Sequence, residues 1–180
     1  MTSVRTFISI PVQGRDSLKP VLDDLSNAAG VRCSPPGQLH ITLRFVGDVD
    51  ASRIDRMERC VRAAVEGIHP FEISVAGVGA FPNRSRPSVV WVGASPQDIL
   101  AGMADRIGAE LDSAGIDYDG KPFKSHVTVG RCRGPADLSA VFDRYGRTEF
   151  TRFVCSHVDI MGSELTPRGA MHRVLRRIDL

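Results

Sequence analysis

Lysine is scarce in this 180-residue chain. Lys19, Lys121 and Lys124 are the only lysines among 23 basic residues, so arginine carries nearly all the positive charge. Its planar fork suits phosphate oxygens, which makes some of these arginines candidates for phosphate binding. The charge excess is small. A net charge of +2 makes no case for a non-specific polyanion binder. Cysteine is sparse as well: Cys33, Cys60, Cys132 and Cys155 are scattered, with no C-x-x-C pair. Free thiols in a reducing cytoplasm are therefore expected. Met1-Thr2-Ser3-Val4-Arg5 leads straight into a strand-like run, so no signal peptide is expected. No apolar run approaches the eighteen or so residues of a membrane span, and no membrane partner is expected. Low-complexity segments and obvious linkers are missing too.

What is present is an ordinary globular composition, 42% hydrophobic and 24% charged. It can bury a core in one domain or in two small lobes. One short stretch occurs twice: His40-Ile41-Thr42-Leu43 and His126-Val127-Thr128-Val129. Each alternates polar and aliphatic residues, the pattern of a strand with His and Thr on one face. Composition predicts about 0.03 such tetrapeptides in a chain of this length, so the pair is not a chance event. The copies lie 86 positions apart, close to half the chain. This spacing predicts two similar halves.

Periodicity and turn residues give the other elements. Strands are expected at 5–10, 31–34, 39–46, 71–81, 88–92, 124–132, 149–154, 156–161 and 171–178. Helices are expected at 16–29, 52–65, 96–114 and 135–145, the third with Ser95 as N-cap and Pro96 at its first position. Strands and helices alternate irregularly, and several strands have hairpin spacing. The fold class is therefore α+β, with antiparallel or mixed sheets and helices packed outside. The expected architecture is one bilobal domain over residues 1–180. Its lobes bring the faces of His40 and His126 to a central cleft.

Two imidazoles facing a cleft suit attack on phosphorus. One neutral ring accepts a proton from the incoming oxygen while a charged one protonates the leaving oxygen. Thr42 and Thr128 would project beside them, with hydroxyls able to donate to phosphate oxygens. No carboxylate or cysteine stands at ligand spacing, so neither a metal nor another cofactor is expected. Arg44 shares the face of His40 and Thr42 and is a candidate phosphate contact. Strict alternation would turn Arg131 away from His126, but a bulge at Gly130 could return it to the cleft. Phe45 and Trp91 read as core residues, His69 and His157 as structural ones. Arg84 and Arg86 read as loop residues, solvated or able to touch a phosphate-bearing substrate.

These residues resemble the 2H phosphoesterases, and within them the RNA 2',3'-cyclic phosphodiesterases, also called the 2'-5' RNA ligase family. The stretch Arg5-Thr6-Phe7-Ile8-Ser9-Ile10 is similar to that family's opening strand. His40-Ile41-Thr42-Leu43-Arg44-Phe45-Val46-Gly47 resembles its first motif. Pro87-Ser88-Val89-Val90-Trp91-Val92-Gly93 resembles its mid-chain strand. Pro122 to Arg131 resembles its second motif, and Ser163 to Gly169 its closing signature. The resemblance implies a pseudo-twofold pair of lobes. It implies metal-free hydrolysis of a 2',3'-cyclic phosphate at an RNA 3' end to a 2'-phosphate, with 2'-5' joining in some members. It makes His40 and His126 the acid–base pair, and Thr42, Thr128 and Arg131 the phosphate contacts. His40 is assigned as acid and His126 as base. The expected partner is an RNA end, tRNA fragments included, met by a cytoplasmic monomer without an obligate protein partner. The rival readings are a phosphodiesterase for small molecules (an ADP-ribose cyclic phosphate or 2',5'-oligoadenylate) and an RNA-end-binding module without turnover. The chain departs from the family at Met171-His172, where a tyrosine is usual, and at Ser125, where a proline is common.

Overall fold

A computed structural model describes residues 2–180. Among these residues nine strands and four α-helices follow one another as β1 (Ser3–Pro11), α1 (Lys19–Ser26), β2 (Val31–Cys33), β3 (His40–Asp50), α2 (Ile54–Val65), β4 (Phe71–Pro82), β5 (Pro87–Ser95), α3 (Gln97–Ser113), β6 (His126–Cys132), α4 (Ser139–Tyr145), β7 (Glu149–Cys155), β8 (His157–Thr166) and β9 (Gly169–Asp179). All nine strands form one sheet in the order β7-β4-β5-β6-β3-β1-β8-β9, with β2 added alongside β6. Every pairing is antiparallel. The fold is thus α+β, as expected.

The two halves of the sheet meet at one narrow joint. Strands β3 and β6 pair only where Ile41 stands opposite Val127. Beyond that point β6 takes β2 as its neighbour, pairing Gly130, Arg131 and Cys132 with Cys33, Arg32 and Val31. The aliphatic residues of both motifs (Ile41, Leu43, Val127, Val129) are buried. Each such side chain contributes about 1.5–3 kcal/mol by leaving water. The helices cover this face. The amphipathic α2 turns Ile54, Met57, Val61, Ala64 and Val65 inward, as their spacing predicts. Helix α3 follows β5 but packs on α2 and β3, whereas α1 follows β1 and packs beside β2 and α4. Each of these helices therefore crosses to the other half and ties the two together.

Several boundaries differ from expectation for local reasons. The first helix is divided into a 3-10 turn at Arg15–Leu18 and α1, which ends at Ser26. Ser95 does not cap α3. It closes β5, where it pairs with Ser74, and Pro96 becomes the cap without a side-chain hydrogen bond. Gly47 does not stop β3. Thr6 pairs with Gly47 and Phe7 with Phe45, leaving Val46 as an extra residue. Gly47 takes φ 90° at this bulge, and the Thr6 hydroxyl donates to its carbonyl at 3.1 Å. The strand then runs on to Asp50.

The hairpin of β8 and β9 is longer than predicted. Its base pairs with β1 through Asp159 to Ser163. Its outer end reaches back over the open face of the sheet. Met171 Sδ lies 3.6 Å from Gln38 Nε2, and the Arg168 carbonyl accepts from Arg32 at 3.0 Å.

Candidate active site

The polar faces of the two motifs lie side by side on the open surface. Stepping one residue either way from the Ile41–Val127 bridge sets His40 across from Thr128 and Thr42 across from His126. Each histidine is held in the same manner. His40 Nδ1 donates to the Gln38 carbonyl at 2.6 Å, and His126 Nδ1 donates to the Lys124 carbonyl at 2.7 Å. Both acceptors lie two residues upstream. A carbonyl can only accept, so each bond fixes the proton on Nδ1 and leaves Nε2 for chemistry. Each ring also leans on a phenylalanine. Phe7 lies 4.9 Å from His40 and Phe81 lies 5.1 Å from His126, between ring centroids.

The surroundings then diverge. His172 packs edge-on against His40 at 5.6 Å and against Phe7 at 4.9 Å. Lys124 and Arg131 oppose the charge on His126. Burial pushes both imidazoles below the ordinary range, and it is the largest cause in each case. For His40 the charges of His172 and His126 add to it; for His126 those of Arg131 and Lys124 do.

A cavity of about 430 Å³ opens beside the joint. Thr42, His126, Thr128 and Arg131 line it, with Phe45, Phe81, Phe123, Val89, Lys121 and Lys124. The ring of His40 is not among its walls and sits on the Phe7 side. Arg131 reaches the cavity because β6 bulges. Trp91 pairs with Thr128 and Val90 with Gly130, so Val129 is the extra residue and the alternation slips by one. Gly130 is closely approached there: a Cβ would lie 3.4 Å from the Arg32 carbonyl oxygen. Arg44 also lines the cavity, but its side chain is only 10% exposed. Its Nε donates to the Ala104 carbonyl at 2.8 Å, and its guanidinium lies 4.9 Å from the centre of the Tyr118 ring. That cation is already engaged.

Some wall residues were not singled out from sequence. Phe81, Phe123, Lys121 and Lys124 come from loops and strand ends whose direction periodicity does not reveal. Phe45, read as core, forms part of the wall. Trp91 lies over Gly79, where a Cβ would strike its ring. Arg84 turns away to Phe142, 5.3 Å from its ring centre. Ser125 shows why a proline is dispensable before His126. Its N–H donates to Gln97 Oε1 at 3.2 Å and its hydroxyl to the Ala94 carbonyl at 2.5 Å. Both bonds anchor the start of β6, and a proline could make neither.

Residues 8–91 match the model of the LigT-like phosphoesterases. A protein from Archaeoglobus fulgidus named RNA 2',3'-cyclic phosphodiesterase is 35% identical over 176 residues, covering 96% of this chain and 98% of that one. The chain belongs to the LigT-like phosphoesterase family. A second relative of the same name, from Methanothermobacter thermautotrophicus, is 33% identical and is covered over 95% of its length. Among solved structures, a Thermus thermophilus protein superposes with a TM-score of 0.81 at 25% identity, with 98% of this chain and 97% of that one covered. Escherichia coli LigT complexed with 3'-AMP shares the fold, with a TM-score of 0.77 at 19% identity and 99% of both chains covered. The family's curled antiparallel sheet with outer helices is the architecture described above.

Proposed function

We propose that this LigT-like protein hydrolyses the 2',3'-cyclic phosphate at an RNA 3' end, leaving a 2'-phosphate. The observation that carries this reading is the matched tethering of His40 and His126 through Nδ1, which leaves two Nε2 atoms beside one strand joint. His126 takes a proton from water as the water oxygen bonds to phosphorus. The bond from phosphorus to the ribose 3' oxygen breaks, and His40 donates a proton to that oxygen. Thr42, Thr128 and Arg131 donate to the non-bridging oxygens and steady the developing charge. These groups supply acid, base and donors, so the reaction needs no metal. An RNA 5'-hydroxyl in place of water would form a 2'-5' bond by the same steps. Two relatives named RNA 2',3'-cyclic phosphodiesterase support the substrate. Arg44 buttresses the wall in this scheme. The protein would act in the cytoplasm, as a monomer, within one bilobal domain.

A second reading takes a small cyclic nucleotide as substrate. The cavity of about 430 Å³ favours it, because it is large enough for one nucleotide. The test uses a short RNA ending in a 2',3'-cyclic phosphate, in EDTA, with wild type, His40→Ala and His126→Ala. A 2'-phosphate product that each variant abolishes supports the proposal. An inert RNA alongside a cleaved cyclic mononucleotide supports the second reading.

A further inference from the structure

Arg131 has a cross-strand partner of its own charge. On β6 it stands directly opposite Arg32 of β2. Directly paired residues project to the same face, so Arg32 shares the face from which Arg131 lines the cavity. Like charges placed this way oppose each other and cost stability. The tip of the β8–β9 hairpin adds a third arginine. Arg32 donates to the Arg168 carbonyl at 3.0 Å. Gly169 lies so close beneath the Arg32 guanidinium that a Cβ there would collide with it. All three arginines are exposed. None of them makes an ion pair among the described residues, whereas Arg144, Arg152, Arg176 and Arg177 all do.

We infer that Arg131, Arg32 and Arg168 form a phosphate track, along which the RNA backbone leaves the cavity across β6, β2 and the hairpin tip. The inference rests on the RNA reading above and gives it a substrate class: a polynucleotide held upstream of its terminal nucleotide, not a lone cyclic nucleotide. Backbone phosphates would relieve the Arg32–Arg131 opposition. Arg168 offers its carbonyl to the fold and keeps its guanidinium free for RNA.

The test measures binding, so it does not depend on turnover. A fluorescent single-stranded RNA heptamer ending in a 2'-phosphate is titrated against wild type, Arg168→Gln, and Arg32→Gln with Arg168→Gln, over a salt series. Adenosine 2'-phosphate serves as the one-nucleotide control. Arg168→Gln keeps the backbone carbonyl that holds Arg32, so its effect reports charge alone. The expected result is heptamer binding about threefold weaker in Arg168→Gln and about tenfold weaker in the double variant. The salt slope should fall by about 0.7 for each arginine removed. Mononucleotide binding by Arg168→Gln should match wild type. An unchanged salt slope, or an equal loss for heptamer and mononucleotide, overturns the track. If the heptamer follows this pattern but its cyclic-phosphate form is not hydrolysed by wild type, the catalytic reading fails and the track stands.

Discussion

The His40 and His126 halves repeat one local design in opposite company. Both histidines give Nδ1 to a carbonyl two residues back, both lean on a phenylalanine, and both precede a threonine. Around His40 the neighbours are Phe7 and a second imidazole, His172. Around His126 they are Lys124 and Arg131. The repeat supplies equivalent reactive atoms, and the difference in surroundings is what can give those atoms separate tasks. Burial first, and then the cations Arg131 and Lys124, lower the pKa of His126 and favour an Nε2 able to accept; the cations also attract phosphate. His40 stands apart from them, outside the cavity wall and beside Phe7 and His172.

The comparison breaks most sharply if either imidazole is removed. His40→Ala and His126→Ala should each lower kcat/KM by about 10²–10⁴-fold, and the double variant should fall little further. Steady-state kinetics on an RNA cyclic phosphate would check this. One histidine proving dispensable would mean that the halves are not equivalent. The next largest effect belongs to the hydroxyls. Thr42→Val and Thr128→Val should each cost about 10²-fold in kcat with smaller changes in KM. Unequal losses would show which half holds the phosphate more firmly.

The pH dependence follows from the depressed imidazoles. The protonated acid that the reaction needs is populated only below the usual value of about 6.5. The kcat/KM of the free enzyme should therefore fall steadily as pH rises from about 6 to 8. Stability has the opposite dependence. Below about 6.5 the unfolded chain binds protons that the folded histidines resist, so stability declines as pH drops toward the folded values. Urea unfolding at pH 5.5 and 7.5 would read this sign.

The smallest effects separate the two environments. His172→Phe removes a charge opposing His40 and should raise the pKa of His40 alone. Lys124→Met should raise that of His126 without raising that of His40. NMR titration of the two imidazoles would distinguish them, and a variant that raised both would show that the two surroundings act as one.

Much of this was legible without coordinates. The alternation of the motifs carries the burial of Ile41, Leu43, Val127 and Val129, because period two is enforced wherever one face of a strand is covered. Helix α2 could be read because its inward residues recur every three or four positions. Arg131 was harder. Alternation alone turns it away, and only the bulge at Val129 returns it, since a bulge depends on the register of the neighbouring strand. Arg44 shows the reverse case. Alternation gives its strand face, but helix α3 holds its guanidinium.

The two polar strand faces, the chemistry that paired His and Thr can perform, and the α+β class are all set by residue order. These follow from side-chain identity and local period, which need no partner. Tertiary structure decided that one sheet, not two, carries both motifs, and that it narrows to the Ile41–Val127 bridge. It also decided that His172 comes from the last strand to meet His40, and that Arg32 and Arg168 come beside Arg131. Those contacts join residues far apart along the chain, and they exist because strand pairing and burial place them together, not because any local pattern encodes them.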